Sequence, residues 1–222
     1  MIVQIYTIQT PEEARAVAEA GVDHLGITPS QIGLPGEVDL ATAQAIMAAI
    51  RGRATGVALS VATDLDEIVA MAEAVRPDIL HLCGLAGAVT PADVALLRAR
   101  LPGLPIMQAI SVAGPTAIDD ARAYQHVADY LILDTQAPDI PGVGASGRTH
   151  DWSISRALVA ESRVPVILAG GLAPENVAAA IRTVRPWGVD SLTHTNQPLP
   201  GGGFQKDLAR VRAFAEAARS AM

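Results

Sequence analysis

The segment YLILDTQAPDIPGVGASGRTHDW, residues 130–152, joins a short apolar run to an aspartate and a glycine-rich loop. Leu131, Ile132 and Leu133 are consecutive apolar residues without polar alternation, a pattern typical of a parallel strand that is covered on both faces. Asp134 therefore falls at the carboxyl end of a buried strand. This segment indicates an α/β protein with a polar site at the strand end.

The loop after this strand contains Gly142, Gly144, Ser146 and Gly147. Glycines allow several backbone N–H groups to turn toward one point, and such a cradle binds an anion such as phosphate without a lysine. A carboxylate beside an anion cradle is typical of an enzyme that acts on a phosphorylated small molecule. The alternative is a strand followed by a flexible loop, because short glycine motifs often match by chance.

The composition excludes several classes of protein. With 222 residues the chain is long enough for one large domain, and we predict a single domain over residues 1–222. The 16 basic and 23 acidic residues give a net charge of −7, which offers no electrostatic footprint for nucleic acid or an anionic membrane. A single cysteine, Cys83, excludes an intramolecular disulfide and fits a reducing compartment.

The first residues, MIVQIYTIQTPEEA, have neither a basic start nor a long apolar run. We therefore predict no signal peptide and no membrane anchor, and we expect a cytoplasmic protein. No cofactor is predicted. The sequence leaves the oligomeric state open, and a homodimer is one expectation.

Short apolar runs alternate with alanine-rich helical patterns along the chain. The predicted strands cover residues 3–8, 24–28, 57–62, 79–83, 105–112, 131–133, 164–169 and 188–193. A helical pattern follows each run, with Pro11, Asp39, Asp64 and Pro174 at or near helix starts and a last helix over residues 204–221. Parallel pairing needs a crossover, and a helix is the usual one, so the pattern indicates a parallel sheet.

Eight β-then-α units are the number that closes a barrel, so we predict a (β/α)8 TIM barrel. The alternative is an open, doubly wound sheet, which would carry a glycine fingerprint after its first strand. That position holds Thr7-Ile8-Gln9-Thr10, without a glycine. The barrel is therefore the better prediction.

In such a barrel the chemistry lies at the carboxyl ends of the strands. The polar residues there are Tyr6, Thr28, Cys83, Ser111, Asp134, Thr193 and His194. Alternation along each strand predicts that Gln4 points inward with Tyr6, His81 with Cys83, and Asp190 with His194. Burial of Gln4, His81 and Asp190 would be costly without partners, so we expect a polar barrel mouth that faces a ligand.

Three segments of the carboxyl-terminal half follow one known pattern. The first segment consists of Leu133-Asp134, then Gly144-Ala145-Ser146-Gly147, then Asp151-Trp152. The second consists of PVILAGGL (165–172) followed by PENV (174–177). The third is Gly188-Val189-Asp190, at the start of the predicted eighth strand. In these motifs the chain resembles the phosphoribosylanthranilate isomerases, β/α-barrel enzymes of tryptophan synthesis. The likeness is weaker over residues 1–110.

The resemblance implies roles for individual residues. Asp134 takes the place of the general acid. Gly144, Ser146, Gly147, Gly170 and Gly171 take the place of the phosphate-binding residues. Asp190 and Thr193 are also predicted to bind the substrate, because of their positions on the eighth strand and at its carboxyl end.

Four departures from the family pattern fall at the predicted site. The first strand ends in Gln4-Ile5-Tyr6-Thr7 instead of Lys-x-Cys-Gly, whose cysteine is the family's general base. Residues 29–39 contain no arginine to hold the anthranilate carboxylate. The fourth strand has HLCG (81–84) where the family has Gln-Leu-His-Gly, and LTHTN (192–196) replaces a Ser-Ser-Gly-type turn. These changes suggest a changed substrate or reaction.

Four residues are candidates for the missing base. His194 lies on a polar loop, and its ordinary pKa suits acid–base work near neutral pH. Cys83 and His81 could form a reactive pair or could simply pack in the core. Tyr6 could be a base only beside a cation, because its ordinary pKa lies near ~10. A metal held by His81, Asp134, Asp190 and His194 is the less favoured alternative, and we predict none.

Two classes of function follow. The first is an isomerase that acts on a phosphorylated sugar or aminosugar by acid–base chemistry, with a substrate other than the classical anthranilate compound. A lyase or aldolase is its enzymatic alternative, without a Schiff base because the only lysine, Lys206, follows the eighth strand. The second class is a non-catalytic phosphosugar-binding protein.

Overall fold

Eight parallel strands close into a barrel in the order in which they occur along the chain. The computed structural model describes residues 1–114, 116–135 and 149–221. The barrel strands are β1 (Ile2–Ile5), β2 (His24–Ile27), β3 (Thr55–Ser60), β4 (Ile79–Leu82), β5 (Ile106–Ser111), β6 (Tyr130–Asp134), β7 (Val166–Leu168) and β8 (Gly188–Ser191). The predicted (β/α)8 barrel is confirmed.

A helix follows each barrel strand. The helices are α1 (Pro11–Glu19), α2 (Leu40–Ile50), α3 (Leu65–Val75), α4 (Pro91–Arg100), α5 (Ala117–Tyr124), α6 (Trp152–Glu161), α7 (Val177–Val184) and α8 (Leu208–Ser220). Asp39 and Asp64 accept backbone N–H groups at the starts of α2 and α3, and Thr90 forms a capping box at α4. These caps explain why the helices begin where they do. No helix in the described part of the chain is long and apolar enough to span a membrane.

The segment between β8 and α8 differs from the prediction. A 3-10 turn (Thr193–Thr195) is followed by an antiparallel hairpin of β9 (Asn196–Pro198) and β10 (Phe204–Lys206). The predicted helix over residues 204–221 is therefore wrong at its start, because its first three residues pair with β9. Asp207 accepts the backbone N–H groups of the first helical turn, so the helix begins only after it.

The helix after β7 also begins later than predicted, at Val177 instead of Pro174. Asn176 holds the preceding turn: its Oδ1 accepts the Ala173 N–H at 2.8 Å, and its Nδ2 donates to the Gly171 carbonyl at 3.0 Å. The backbone from β7 to α7 is therefore a fixed loop at the barrel mouth.

Two apolar clusters form the core. The larger lies between the barrel and its helices and includes Val3, Leu133, Leu168 and Phe214. The smaller contains residues from six strands or strand ends, which only the lumen can bring together: Tyr6, Val57, Ile79, Cys83, Met107, Ala109, Ile132, Ile167 and Ala169. Tyr6, Cys83 and Ile132 thus point inward, as the alternation predicts.

Candidate active site at the ends of strands six to eight

One pocket opens at the carboxyl ends of β6, β7 and β8. It encloses about 270 Å³ of space, part of it open to solvent. Its walls are Asp134, Gly170, Gly171, Leu172, Asp190, Ser191, Leu192, Thr193 and His194. The fold therefore brings together six of the residues that the sequence marks as candidate site residues.

The strand register places Asp134, Ala169 and Asp190 side by side, because the residues immediately before them pair across both strand boundaries. Asp134 and Asp190 are therefore two strand spacings apart, which corresponds to about 10 Å between Cα atoms. Ala169, with its single methyl group, lies between them and is fully buried. No large side chain on β7 separates the two carboxyl groups.

Both carboxyl groups have raised pKa values. Burial raises the pKa of Asp134 to about 7, against the opposing effect of the Thr135 N–H, which donates to Oδ1 at 2.6 Å. Burial also raises the pKa of Asp190 to about 8, and the negative charge of Asp134 raises it further. The neighbouring Gln4 and Lys206 side chains lower it. Protonated carboxyl groups are therefore present in this pocket at neutral pH.

The loop between β7 and α7 has two residues in backbone conformations that favour glycine. Gly170 and Gly171 have φ values of 80° and 62°, where any side chain with a Cβ is strained. Besides Asn176, Ser191 fixes the loop, because its hydroxyl donates to the Leu172 carbonyl at 2.7 Å. Backbone groups here can face an anion without further ordering.

The other predicted phosphate loop follows β6. Gly144, Ser146 and Gly147 lie outside the described residues. Their assignment remains a prediction.

His194 lies on the 3-10 turn beside the pocket and is half-buried. Its carbonyl accepts the Arg210 Nε–H at 2.7 Å, and Arg210 also forms an ion pair with Glu175. These contacts tie the turn to α8 and to the start of α7. Thr193, one residue earlier, is exposed at the pocket rim.

Tyr6 and His81 contact each other inside the barrel. The Tyr6 hydroxyl lies 2.5 Å from His81 Nδ1, and both side chains are buried. Burial lowers the pKa of His81 to about 3, so its ring is neutral at pH 7. Burial, with the charges of Asp190 and Cys83, raises the pKa of Tyr6 well above its ordinary value. Neither side chain is poised to accept a proton at neutral pH.

Cys83 packs in the lumen cluster with Tyr6 and is 6% exposed. Tyr6, His81 and Cys83 do not line the pocket, which leaves His194 as the one predicted base on its wall. The described residues contain no group of three or more His, Cys, Asp or Glu side chains arranged for a metal ion.

Gly26 on β2 provides the space that Tyr6 needs. A Cβ at this position would lie 2.2 Å from two ring carbons of Tyr6. Thr7, which follows Tyr6, has a φ of 63°, and its hydroxyl donates to the Tyr6 carbonyl at 2.7 Å. Sequence reasoning did not single out either residue, although a glycine inside an apolar strand indicates a close approach.

Lys206 is a second residue whose position the sequence did not reveal. It is 5% exposed, and its Nζ donates to Asn196 Oδ1 at 2.6 Å and to the Leu192 carbonyl at 3.4 Å. Its backbone N–H donates to Glu13 at 2.6 Å, which joins the hairpin to α1. Burial lowers the pKa of Lys206 to about 7, while the charges of Glu13 and Asp190 act to raise it.

His150 supports the strand end that carries Asp134. Its Nδ1 lies 3.2 Å from the Thr135 hydroxyl, and its Nε2 lies 2.7 Å from the hydroxyl of the fully buried Ser155. Burial lowers the pKa of His150 to about 4. A neutral histidine thus links α6 to the residue whose N–H binds Asp134.

Comparison with known proteins agrees with this architecture. Residues 3–216 match the family model described as N-(5'-phosphoribosyl)anthranilate (PRA) isomerase. A protein of that name from Methanocella arvoryzae is 33% identical over 217 residues, 98% of this chain and 97% of the relative. The one from Haloferax volcanii is 36% identical over 220 residues, 99% and 93% of the two chains.

The fold agrees with a solved structure as well. The crystal structure of phosphoribosyl anthranilate isomerase from Thermotoga maritima is 26% identical and superposes with a TM-score of 0.81, over 99% of this chain and 100% of that one. The resemblance seen in the sequence motifs is confirmed over almost the whole chain. The chain belongs to the N-(5'-phosphoribosyl)anthranilate isomerase family.

Proposed function

We propose that this protein is an isomerase that acts on a phosphorylated sugar or glycosylamine by acid–base catalysis. The observation that carries the proposal is a single pocket in which Asp134 faces the glycine loop after β7 and the turn after β8. Membership of an isomerase family supports the reaction type.

The pocket suggests how the substrate is oriented. The phosphate binds backbone N–H groups at Gly170 and Gly171 and the turn at Thr193, together with the predicted loop at Gly144, Ser146 and Gly147. The sugar ring then lies over β6, within reach of Asp134. Binding of the phosphate holds the sugar next to Asp134, so the proton transfer takes place between two groups that are already positioned.

Asp134 is the general acid in this proposal. Burial keeps part of its population protonated at neutral pH, as a proton donor requires. Donation of that proton to the ring oxygen allows the C1–O bond to break. A second group then removes the proton from C2, and the substrate rearranges to its ketose isomer.

We further propose that the classical anthranilate compound is not the substrate, although the relatives named above carry its name. Tyr6 occupies the position of the family's general base, and its ring fills the lumen against Gly26. The loop before α2 offers a carboxylate, Glu37, which accepts backbone N–H groups from Ile32 and Gly33. Residues 29–39 contain neither arginine nor lysine, so this loop supplies no cation to hold the anthranilate carboxylate.

A panel of phosphorylated aldoses, ketoses and glycosylamines tests the proposal, first by thermal shift. A ligand present at 100 times its Kd stabilises a protein by about 2.7 kcal/mol. Compounds that bind are then incubated with the enzyme in D2O, and deuterium incorporation at C2 is followed by NMR. Binding without isomerisation or exchange would favour the non-catalytic alternative. Cleavage of a carbon–carbon bond would favour the lyase.

We also propose that the protein forms a homodimer. A structural relative from Thermotoga maritima is described as dimeric. Ile32, Leu40 and Leu85 are exposed on this chain, at loops around the barrel mouth and the start of α2. Light scattering of the purified protein measures the mass directly, and a monomer at micromolar concentration would contradict the proposal.

A further inference from the structure

A row of hydrogen bonds connects the buried side of α6 to the carboxyl group of Asp134. The hydroxyl of Ser155 on α6 lies 2.7 Å from His150 Nε2, and His150 Nδ1 lies 3.2 Å from the Thr135 hydroxyl. The backbone N–H of Thr135 then donates to Asp134 Oδ1 at 2.6 Å. His150 does not line the pocket, so it can act on the site through Thr135 and not by contact with a ligand.

The helix at one end of this row is firmly packed. Ser155 is fully buried, and Leu158 on the same helix belongs to the larger core cluster. Trp152 and Ile154 pack against that cluster as well. The hydroxyl of Ser155 therefore has a fixed position against which the ring of His150 is held.

The imidazole of His150 suits both of its contacts. Burial lowers its pKa to about 4, so the ring is neutral at pH 7. A neutral imidazole has one donor nitrogen and one acceptor nitrogen, and each hydroxyl can take either role. Both hydrogen bonds can therefore form in either tautomer, whereas an apolar ring of the same size would form neither.

We propose that His150 is a positioning residue that fixes Thr135, so that the Thr135 N–H stays on the carboxyl group of Asp134. This inference rests on the proposed function only where it treats Asp134 as the general acid. His150 itself touches no substrate.

The Thr135 N–H opposes the effect of burial on Asp134. Burial raises the pKa of Asp134, whereas a donor to the charged carboxylate lowers it. Loss of the His150 contact frees Thr135 to turn its N–H away, so the pKa of Asp134 should rise. Substitution of His150 leaves the other titratable groups near these residues in place. They are Asp190 and His194 on the pocket wall and Asp151 beside His150.

Three substitutions separate the two hydrogen bonds of His150. His150→Asn keeps an amide at the place of Nδ1, where it can bond the Thr135 hydroxyl. His150→Gln carries its amide to the place of Nε2, within reach of Ser155 and away from Thr135. His150→Phe keeps the volume of the ring and loses both bonds.

The measurement is an NMR titration without substrate, of protein labelled with ¹³C at the aspartate carboxyl carbons. Asp134→Asn assigns the signal of Asp134. In His150→Phe and His150→Gln the midpoint should rise by at least about half a pH unit, and in His150→Asn it should stay within about 0.2 units of the wild type. Tyr124→Phe, which removes a buried hydrogen bond away from the pocket, is the control and should not move it.

A kinetic measurement separates this inference from the proposed function. The probe is C2 exchange of ribose 5-phosphate in D2O, and the pH at which exchange falls to half should rise in His150→Gln together with the midpoint of Asp134. Absence of exchange in the wild-type enzyme would count against the isomerase proposal. The titration, which needs no reaction, would then decide the role of His150.

Two results of the titration would overturn the role of His150. One is an unchanged midpoint in folded His150→Gln and His150→Phe. The other is an equal rise in His150→Asn, because packing of the ring, and not the contact with Thr135, would then hold Asp134. The comparison of His150→Asn with His150→Gln decides the matter even if His150→Phe does not fold.

Discussion

The hydroxyl of Tyr6 and the Nδ1 of His81 meet at 2.5 Å across the barrel, from β1 to β4. Their rings lie 5.4 Å apart at a tilted angle. In the sequence resemblance, Tyr6 takes the position of the family's general-base cysteine. The first strand end of this chain holds a buried contact between Tyr6 and a neutral His81. The two aspartates that line the pocket, Asp134 and Asp190, lie instead on β6 and β8.

Replacing Tyr6 by phenylalanine tests this interpretation. Loss of the hydroxyl leaves His81 Nδ1 buried without a partner, so we expect the free energy of unfolding to fall by about 1–3 kcal/mol. The measurement is urea denaturation. Turnover of any substrate found in the screen should change less than about threefold.

The matched control is Tyr124→Phe, which removes a buried hydroxyl that donates to the Val89 carbonyl at 2.6 Å, away from the pocket. It should destabilise the protein by a similar amount. A loss of turnover of 100-fold or more in folded Tyr6→Phe, with normal turnover in Tyr124→Phe, would assign Tyr6 a direct catalytic role.

The pKa of Asp134 predicts a pH-dependent contribution to stability. The folded state holds this proton up to about pH 7, whereas the unfolded chain releases it near its ordinary value of 3.8. The stabilisation is therefore present in full below about pH 4 and is lost as the pH rises to about 7. Relative to Asp134→Asn, the wild-type protein should lose up to a few kcal/mol between pH 5 and 8. Parallel stability curves for the two proteins would show that Asp134 is not buried as described.

The two glycine loops should be required for phosphate binding. The double variant Gly147→Val and Gly171→Val removes one glycine from each, and at Gly171 the φ of 62° makes a branched side chain strained. Phosphosugar affinity, measured by calorimetry, should fall at least about 100-fold while circular dichroism shows an intact fold. Gly103→Val controls for strain, because Gly103 has a φ of 84° in the turn between α4 and β5, away from the pocket. Unchanged affinity in the double variant would rule out the cradle.

Side-chain direction could be predicted from the sequence because it depends only on alternation within a strand. That rule placed Tyr6 and Cys83 in the lumen and Asp134 at the mouth. It could not show that Tyr6 and His81 are in contact. That contact depends on the register between neighbouring strands of the barrel and on the space that Gly26 leaves for the Tyr6 ring. The sequence therefore could not predict that Tyr6 does not line the pocket.

The hairpin after β8 shows a second limit. Its strands have three residues each, too few for a periodic signal, and α8 begins immediately afterwards. Lys206 was consequently assigned to a helix, and its burial against Asn196 and Leu192 was not foreseen. The level positions of Asp134 and Asp190 could not be predicted either, because they depend on the register across β7.

The substrate proposal predicts the outcome of complementation. Expression of the gene in a tryptophan auxotroph that lacks phosphoribosylanthranilate isomerase should not restore growth at ordinary expression. The reason is the absence of both the first-strand cysteine and an arginine in residues 29–39. A genuine isomerase of the family, expressed from the same vector, is the positive control. Robust growth would show that another group of this chain serves as the base for the classical substrate.

The most direct test of the account is the effect of Asp134→Asn on proton transfer. The substrate identified in the screen is incubated in D2O with either protein, and both isomerisation and deuterium incorporation at C2 are measured by NMR. Asparagine keeps the shape of the side chain but cannot donate the acid proton, so kcat should fall at least about 100-fold while the phosphosugar still binds. Near-normal turnover by a folded Asp134→Asn protein would contradict the central claim that this pocket is an isomerase site with Asp134 as its acid.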